Sequence, residues 1–212
     1  STSCPGFLTR PDQDNEKWEK EGFSPQGIEN AEKLIARFYQ QARERNWPEM
    51  IFYMSDELSN RGMAGGKFGK ELAKIYRNIA DKVGFRICAS MNGAPEHLML
   101  PYIHIAIPNG SFPITEESIQ EIRKNGCELW FYNIYANRFT YGYYLTKARP
   151  KGRLQWAFGP AYSYFNQAPS LPSLGGLTYT LFLDSSLNVG RRHDVEEMRE
   201  GIMDYRYYLT LE

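Results

Sequence analysis

The chain has no apolar run approaching the roughly 20 residues that a membrane-spanning helix needs, and its opening Ser1-Thr2-Ser3-Cys4-Pro5 has no signal-peptide hydrophobic region. It has no surplus of either charge, with 25 Lys and Arg against 25 Asp and Glu. A balanced chain sets up no long-range field for polyanions, so neither nucleic acid nor a membrane is an expected partner. Cysteine is scarce. Cys4, Cys88 and Cys127 are widely spaced and odd in number, which excludes a disulfide framework and a CxxC redox or zinc motif. The three histidines, His97, His104 and His193, form neither HExxH nor a close ligand pair, so no metal site and no cofactor is expected. His104 alternates within an apolar stretch, the pattern of a core histidine more than of a ligand. A GxSxG serine-hydrolase elbow is also missing. Residues 62–70, GMAGGKFGK, carry the glycines of a phosphate loop without the GxxxxGK[ST] spacing, and Glu71 stands where a Ser or Thr is required. The expected reading of that stretch is a flexible loop between a strand and a helix.

What is present is ordinary core material in a 212-residue chain, a size that fits one large domain over 1–212. Hydrophobic residues make up 42%, excluding the 18 glycines. The compositional deviation is aromatic: 15% of the chain, with 15 Tyr and 4 Trp. Tyr and Trp join an apolar face to a hydrogen-bonding tip, which suits sugar rings with C–H faces and hydroxyl edges. Plain packing is the alternative for each of them.

Residues 1–24 are polar and punctuated by Pro5 and Pro11, an irregular lead-in with one short helix near 15–20. Ile28, Ala31, Leu34, Ile35, Phe38, Tyr39 and Ala42 then recur at i, i+3, i+4, i+7 spacing, an amphipathic helix that Asn46-Trp47-Pro48 ends. Beyond it, short apolar runs alternate with helical patterns, the signature of βαβ units and an α/β parallel sheet. Strands are expected at 50–55, 85–91, 102–107, 128–133 and 154–158, helices at 67–83, 115–125, 139–148 and 194–209, and an extra strand at 177–183.

In parallel α/β sheets and barrels, ligands bind at the carboxyl ends of the strands. Those ends are polar here: Ser55-Asp56-Glu57, Asn92, Pro108-Asn109, Tyr132-Asn133, and Gln155-Trp156 with Asp184 beyond. Asp56-Glu57 follows the run MIFYMS, so two carboxyls arrive together where chemistry is expected. One member of such a pair can serve as a general acid while its ionised neighbour stabilises positive charge. The other reading is that Ser55 or Asp56 caps the helix or turn that follows.

Two longer segments carry a resemblance. The stretch 128–158, ELWFYNIYANRFTYGYYLTKARPKGRLQWAF, and the tail 198–208, MREGIMDYRYY, resemble the strand–helix–strand block and the REGxxDYxY closing helix of barrel proteins related to glycoside hydrolase family 123, the β-N-acetylgalactosaminidases, and of the associated DUF4091 domains. With Asp56-Glu57 the resemblance spans most of 25–212 and implies a TIM-type (β/α)-barrel hydrolase. It implies substrate-assisted hydrolysis of a 2-acetamido sugar, in which the sugar's acetamido oxygen attacks the anomeric carbon and the protein needs no carboxylate nucleophile. Glu57 would then be the general acid and base, and Asp56 would orient the acetamido N–H and stabilise the oxazolinium-like intermediate. Tyr132, Asn133, Tyr141 and Trp156 become candidates for the sugar pocket, with Arg138 beside them; Asn92 and Asn109 qualify by strand-end position alone. Arg199, Glu200 and Asp204 of the tail have a structural reading, as charges pairing on or from a helix. A periplasmic or secreted location follows from the resemblance only.

One departure from the family pattern matters. If 50–55 corresponds to the fourth barrel strand, the chain supplies about strands 4 to 8 over 25–212, and the first three are missing. An open sheet has two unpaired edges, to be covered by residues 1–24 or by a second copy of the chain, or else left as a source of instability. The alternative function is therefore a non-catalytic carbohydrate-binding module, or an inactive barrel fragment.

Overall fold

The computed structural model describes residues 22–135, 137–154, 181–183, 189–191 and 193–211. The lead-in helix near 15–20, Trp156 and Asp184 lie outside the described residues.

The first helix, α1 (Pro25–Glu44), begins where Ser24 Oγ accepts the Gly27 N–H at 3.4 Å and Pro25 enters the first turn. Both features favour initiation, because the cap satisfies an orphan donor and proline has none to lose. Its buried face is Ala31, Ile35, Tyr39 and Ala42, all members of the expected periodic set. The helix stops at Arg45 and Asn46, the latter left-handed with φ 51°. Then come β1 (Ile51–Ser55), a 3-10 turn (Leu58–Arg61), α2 (Gly62–Val83), β2 (Arg86–Met91), a 3-10 segment (Ala94–Tyr102) and β3 (Ile105–Pro108). The remainder is α3 (Glu116–Lys124), β4 (Glu128–Tyr132), α4 (Arg138–Tyr141), α5 (Tyr143–Ala148), β5 (Gly152–Leu154), β6 (Leu181–Leu183), β7 (Val189–Arg191) and α6 (His193–Thr210).

The fold is α/β. Strands β1 to β5 form a five-stranded sheet in that order, with β1 parallel to β2 and β4 parallel to β5, while β6 and β7 make a separate antiparallel pair. Sequential order with helices between neighbours is the βαβ arrangement that the alternating pattern predicts. β2 is buried along almost its whole length and β3 throughout. This is the continuous apolar reading of strands covered on both faces. The chain divides into two compact units, one running to Ala106 and including Lys124–Cys127, the other comprising Ile107–Arg123 and the described residues from Glu128 on.

In the first unit, α1 and α2 pack with β1 and β2 around Tyr39, Phe68, Leu72, Tyr76, Ile79, Ile87 and Met91. Tyr39 and Phe85 stack with ring centroids 4.4 Å apart, and the Tyr39 hydroxyl donates to Met50 O at 3.1 Å. In the second unit, α4 and α5 pack on α6. Gly142 and Gly201 are buried there, and a Cβ on Gly201 would lie 2.6 Å from Arg138 O. The helix expected over 139–148 is split at Gly142 (φ −110°, ψ −99°) by this close approach.

Three expectations need correction. Residues 62–70 are the first turns of α2, not a flexible loop. Its glycines serve packing: a Cβ on Gly65 would collide with Leu58 O, one on Gly66 with Pro95 O, and one on Gly69 would lie 2.6 Å from Met99 Sδ. Residues 94–102 form a 3-10 segment where only the start of a strand was expected, so β3 begins at Ile105. The fifth strand is Gly152–Leu154, earlier than 154–158, of which 155–158 lie outside the described residues.

The glycine packing yields a measurable outcome. In an exposed loop or an open helix, Gly66→Ala would be neutral or stabilising by up to about 1 kcal/mol. Against the Pro95 carbonyl it should cost about 1–3 kcal/mol, read as a lower urea midpoint with an unchanged slope. An unchanged or raised midpoint would contradict the contact.

Candidate functional site

The acidic pair leaves β1 at a place where the backbone is already bent. β1 runs in register with β2 through Tyr53 and Cys88, then shifts so that Ser55 faces Ala89, which leaves Met54 as an extra residue. A bulge of this kind redirects the chain. Asp56 and Glu57 follow it off the strand, and Glu57 adopts the left-handed conformation with φ 49° and ψ 50°. For a residue with a Cβ and no local hydrogen-bonding habit, this conformation costs of order 1–3 kcal/mol, so surrounding contacts must hold it.

Those contacts centre on Ser90, which is 1% exposed near the end of β2. Its Oγ donates to Asp56 Oδ1 at 2.8 Å and accepts the Glu57 N–H at 3.1 Å. The Tyr53 hydroxyl lies 2.8 Å from both Asp56 Oδ1 and Ser90 Oγ. On the far side, the Asn60 N–H donates to Glu57 O at 3.2 Å. Two hydroxyls therefore orient one carboxyl oxygen of Asp56, and Glu57 is gripped at its amide and its carbonyl. Asp56 is exposed and Glu57 half-buried.

Asn92, the polar residue after β2, joins the same cluster. Ser59 Oγ donates to Asn92 Oδ1, and Asn92 Nδ2 donates to Asn60 Oδ1 at 2.6 Å. Its own amide donates to Glu96 Oε2 at 2.5 Å, as does that of Gly93 at 3.0 Å. Glu96 has no exposed surface, and its Oε1 has no hydrogen-bond partner of good geometry. Burial pushes this carboxyl above the ordinary range, and the neutral donors of Asn92, Ser59 and Gly93 pull it back only in part. Three of the expected residues, Asp56, Glu57 and Asn92, are thus brought together, with Tyr53, Ser59, Asn60, Ser90 and Glu96 added. Ser90 had one signal available, a hydroxyl inside the apolar run ICASM; Glu96 had none beyond an acid after Gly93-Ala94-Pro95.

The other candidates belong to the second unit. Asn109 is buried just after β3, where its Oδ1 accepts the Ser111 N–H at 2.8 Å and its carbonyl accepts the Phe112 N–H at 3.0 Å, so it builds a turn. Tyr132 ends β4, half-buried. Asn133 follows with φ 49°, and its amide donates to Leu154 O at 3.2 Å. The face of Tyr141 is occupied by the Arg153 guanidinium, 3.5 Å from the ring centroid. Arg153 also donates to the carbonyls of Thr140 (2.7 Å), Ile134 and Tyr135 (2.9 Å), and burial lowers its pKa. Arg138 is engaged by α6, donating through Nε and Nη2 to the two oxygens of Asp204 (2.6 and 3.0 Å) and through Nη1 to Glu200 (3.2 Å). Arg199 pairs within its own helix with Glu196 at 2.7 Å.

Among the described residues, Cys88, Cys127 and His104 are held in structural contacts. Burial pushes Cys88 up to about 12 and Cys127 up to about 11, and Cys127 donates to the carbonyls of Leu100 and Ile103. His104, half-buried, accepts the Ile87 N–H on Nδ1 at 3.2 Å, and burial lowers its pKa, which favours the neutral acceptor form. A cleft of about 450 Å³ opens at the amino-terminal ends of β1 and β2, between Tyr39, Trp47, Glu49 and Arg86. It lies at the opposite strand ends from Asp56, and Arg86 and Glu49 pair across it at 2.7 Å. Among the described residues, no group of three or more His, Cys, Asp or Glu is placed to hold a metal ion, and no helix is long and apolar enough to cross a membrane.

Two outcomes follow from this geometry. Ser90→Ala removes the acceptor for the half-buried Glu57 N–H and should destabilise the protein by about 1–3 kcal/mol in urea unfolding, more than Tyr53→Phe at about 0.5–1.5 kcal/mol; equal and negligible effects would contradict the cluster. The raised carboxyl of Glu96 favours folding fully below its unfolded value and withdraws that support as pH rises through the folded one. Glu96→Gln should therefore gain stability relative to the parent as pH rises above the ordinary glutamate value of about 4.3, and a difference constant with pH would contradict the raised value. No protein-family model matches the chain, and no curated protein matches it.

Proposed function

We propose that this chain is the carboxy-terminal part of a (β/α)-barrel glycoside hydrolase acting on a 2-acetamido sugar by substrate-assisted catalysis. The observation that carries the reading is the left-handed Glu57 beside Asp56 at the carboxyl end of a parallel strand, with the Asp56 carboxyl oriented by the Ser90 and Tyr53 hydroxyls. On a regular strand these neighbours would point to opposite faces. The bulge in β1 and the left-handed turn remove that restriction. The resemblance of 128–158 and 198–208 to the family 123 and DUF4091 barrels supplies the substrate class.

In this reading Asp56 accepts the acetamido N–H, which turns the acetamido oxygen toward the anomeric carbon. As the glycosidic bond breaks, positive charge spreads over the forming oxazolinium, and the Asp56 carboxylate stabilises it. Glu57 protonates the leaving oxygen, then takes a proton from the water that opens the intermediate. Arg138 is paired with Asp204, and the Arg153 guanidinium lies over the Tyr141 ring.

A second reading, a carbohydrate-binding module without turnover, is favoured by the exposure of Asp56 and by the strand order, in which β1 and β5 end the row. One pair of measurements separates the two. The hydrolase reading predicts that an aryl N-acetylhexosaminide releases its aglycone with the parent chain, that Glu57→Gln reduces release by about 100-fold or more, and that sugar binding survives the substitution. Turnover unchanged in Glu57→Gln would remove Glu57 from the role. Sugar binding without turnover by the parent chain would favour the module.

A further inference from the structure

The buried carboxyl of Glu96 belongs to no part of the chemistry just described, yet its contacts lead back to it. It lies in the 3-10 segment Ala94–Tyr102 and is closed off from solvent, and its Oε2 takes the backbone amides of both Asn92 and Gly93. Those two amides form the turn by which the chain leaves β2. With Asn92 held at its backbone, the side chain is aimed at the 3-10 turn Leu58–Arg61, where it meets the Ser59 hydroxyl and the Asn60 carboxamide. Asn60 in turn donates its amide to the carbonyl of Glu57. Space for this arrangement comes from α2, whose Gly65 and Gly66 let Leu58 O and Pro95 O approach closer than any Cβ would permit.

We propose that Glu96 is a positioning residue, which fixes Asn92 and, through Asn92 and the Ser59-Asn60 turn, holds Glu57 in its left-handed conformation. Ser90 grips Glu57 from its amide side and the Glu96–Asn92–Asn60 relay grips it from its carbonyl side. A left-handed non-glycine residue relaxes to an ordinary conformation when its neighbours stop over-determining it. A surface polar network would not need a carboxyl with no exposed area; this one stands behind the turn, in contact with backbone amides alone and the Ser59 group. The groups acting on Glu96 are neutral, so its hold is made of hydrogen bonds and shape, which a glutamine can reproduce and an alanine cannot.

The importance of Glu57 for turnover rests on the hydrolase reading, so the test is read first by NMR, which requires no substrate. A positive φ places the amide proton close to its own Hα and gives a strong intraresidue cross-peak at Glu57 in the parent chain. In Glu96→Ala that cross-peak should weaken to the level of ordinary residues and the Asn92 and Gly93 amides should exchange faster, while Glu96→Gln should retain both signatures. Asn92→Ala cuts the relay in its middle and should also lose the Glu57 signature; it carries the test if Glu96→Ala fails to fold. A folded Glu96→Ala or Asn92→Ala chain that keeps the Glu57 cross-peak would overturn the proposal. Where the parent hydrolyses an N-acetylhexosaminide, Glu96→Ala should lower kcat on the order of 100-fold with KM little changed, and Glu96→Gln should restore it. A parent chain without turnover contradicts the hydrolase reading and leaves the relay to be decided by the cross-peak alone.

Discussion

A single buried hydroxyl, that of Ser90, stands where β1 and β2 finish, and the arrangement of the candidate site depends on it. It is inaccessible to solvent, so its hydrogen bonds are made within the protein, and all of those described reach residues of β1 or the turn that follows. Asp56 and Tyr53 meet it through their side chains and Glu57 through its amide. Without that acceptor, the Glu57 N–H would have to find another partner, and the left-handed turn would lose the contact that makes it worth its cost. The parallel pairing of β1 with β2 puts the two carboxyl ends side by side, and the bulge at Met54 provides the local bend. Sheet register, the buried hydroxyl and the direction of the acids are thus one linked constraint.

Behind this constraint stands the packing of α2. Long helices following parallel strands are ordinary in α/β folds; this one begins with GMAGGKFGK. Intrinsic propensity opposes that start, at about 1 kcal/mol for each glycine relative to alanine. The return is contact: the helix surface is flat enough at Gly65, Gly66 and Gly69 for the Leu58–Arg61 turn and the Ala94–Tyr102 segment to lie directly on it. Both segments carry groups of the Glu57 cluster. The apolar core of the first unit, from Tyr39 on α1 to Met91 on β2, then supplies a base that has no role in chemistry and every role in keeping the turns in place.

Much of this was readable in the residues. α1 is written in the spacing of Ala31, Ile35, Tyr39 and Ala42, with Ser24-Pro25 to start it; β1, β2 and β4 are apolar runs that stop at a polar residue. The strand-end position of Asp56, Asn92 and Asn133 followed from those runs, and that of Asn109 from the run ending β3. The glycines of α2 were not readable, because local preference says loop and it is Leu58, Pro95 and Met99, spread over the sequence, that make them useful. The segment 94–102 was hidden by Pro95 and Pro101, which punctuate a sequence but are also tolerated in short 3-10 turns. The partners of Arg138 and Tyr141, Asp204 and Arg153, are contacts between separated segments that local residue patterns do not display. The left-handed state of Glu57 had no residue signature at all, since it is imposed by Ser90 and Asn60.

In the proposed hydrolase, the Ser90-anchored acidic pair would recognise the acetamido group of a sugar on its way to an oxazolinium. The most direct measurement is a calorimetric titration with a bicyclic thiazoline of an N-acetylhexosamine, a stable mimic of that intermediate, against the parent chain and Asp56→Asn. The account predicts that the thiazoline binds the parent more tightly than does the parent sugar lacking the fused ring, since such a mimic presents the charge and shape of the reacting species, and that Asp56→Asn removes this preference. Equal binding of the two ligands, or a preference untouched in Asp56→Asn, would contradict it.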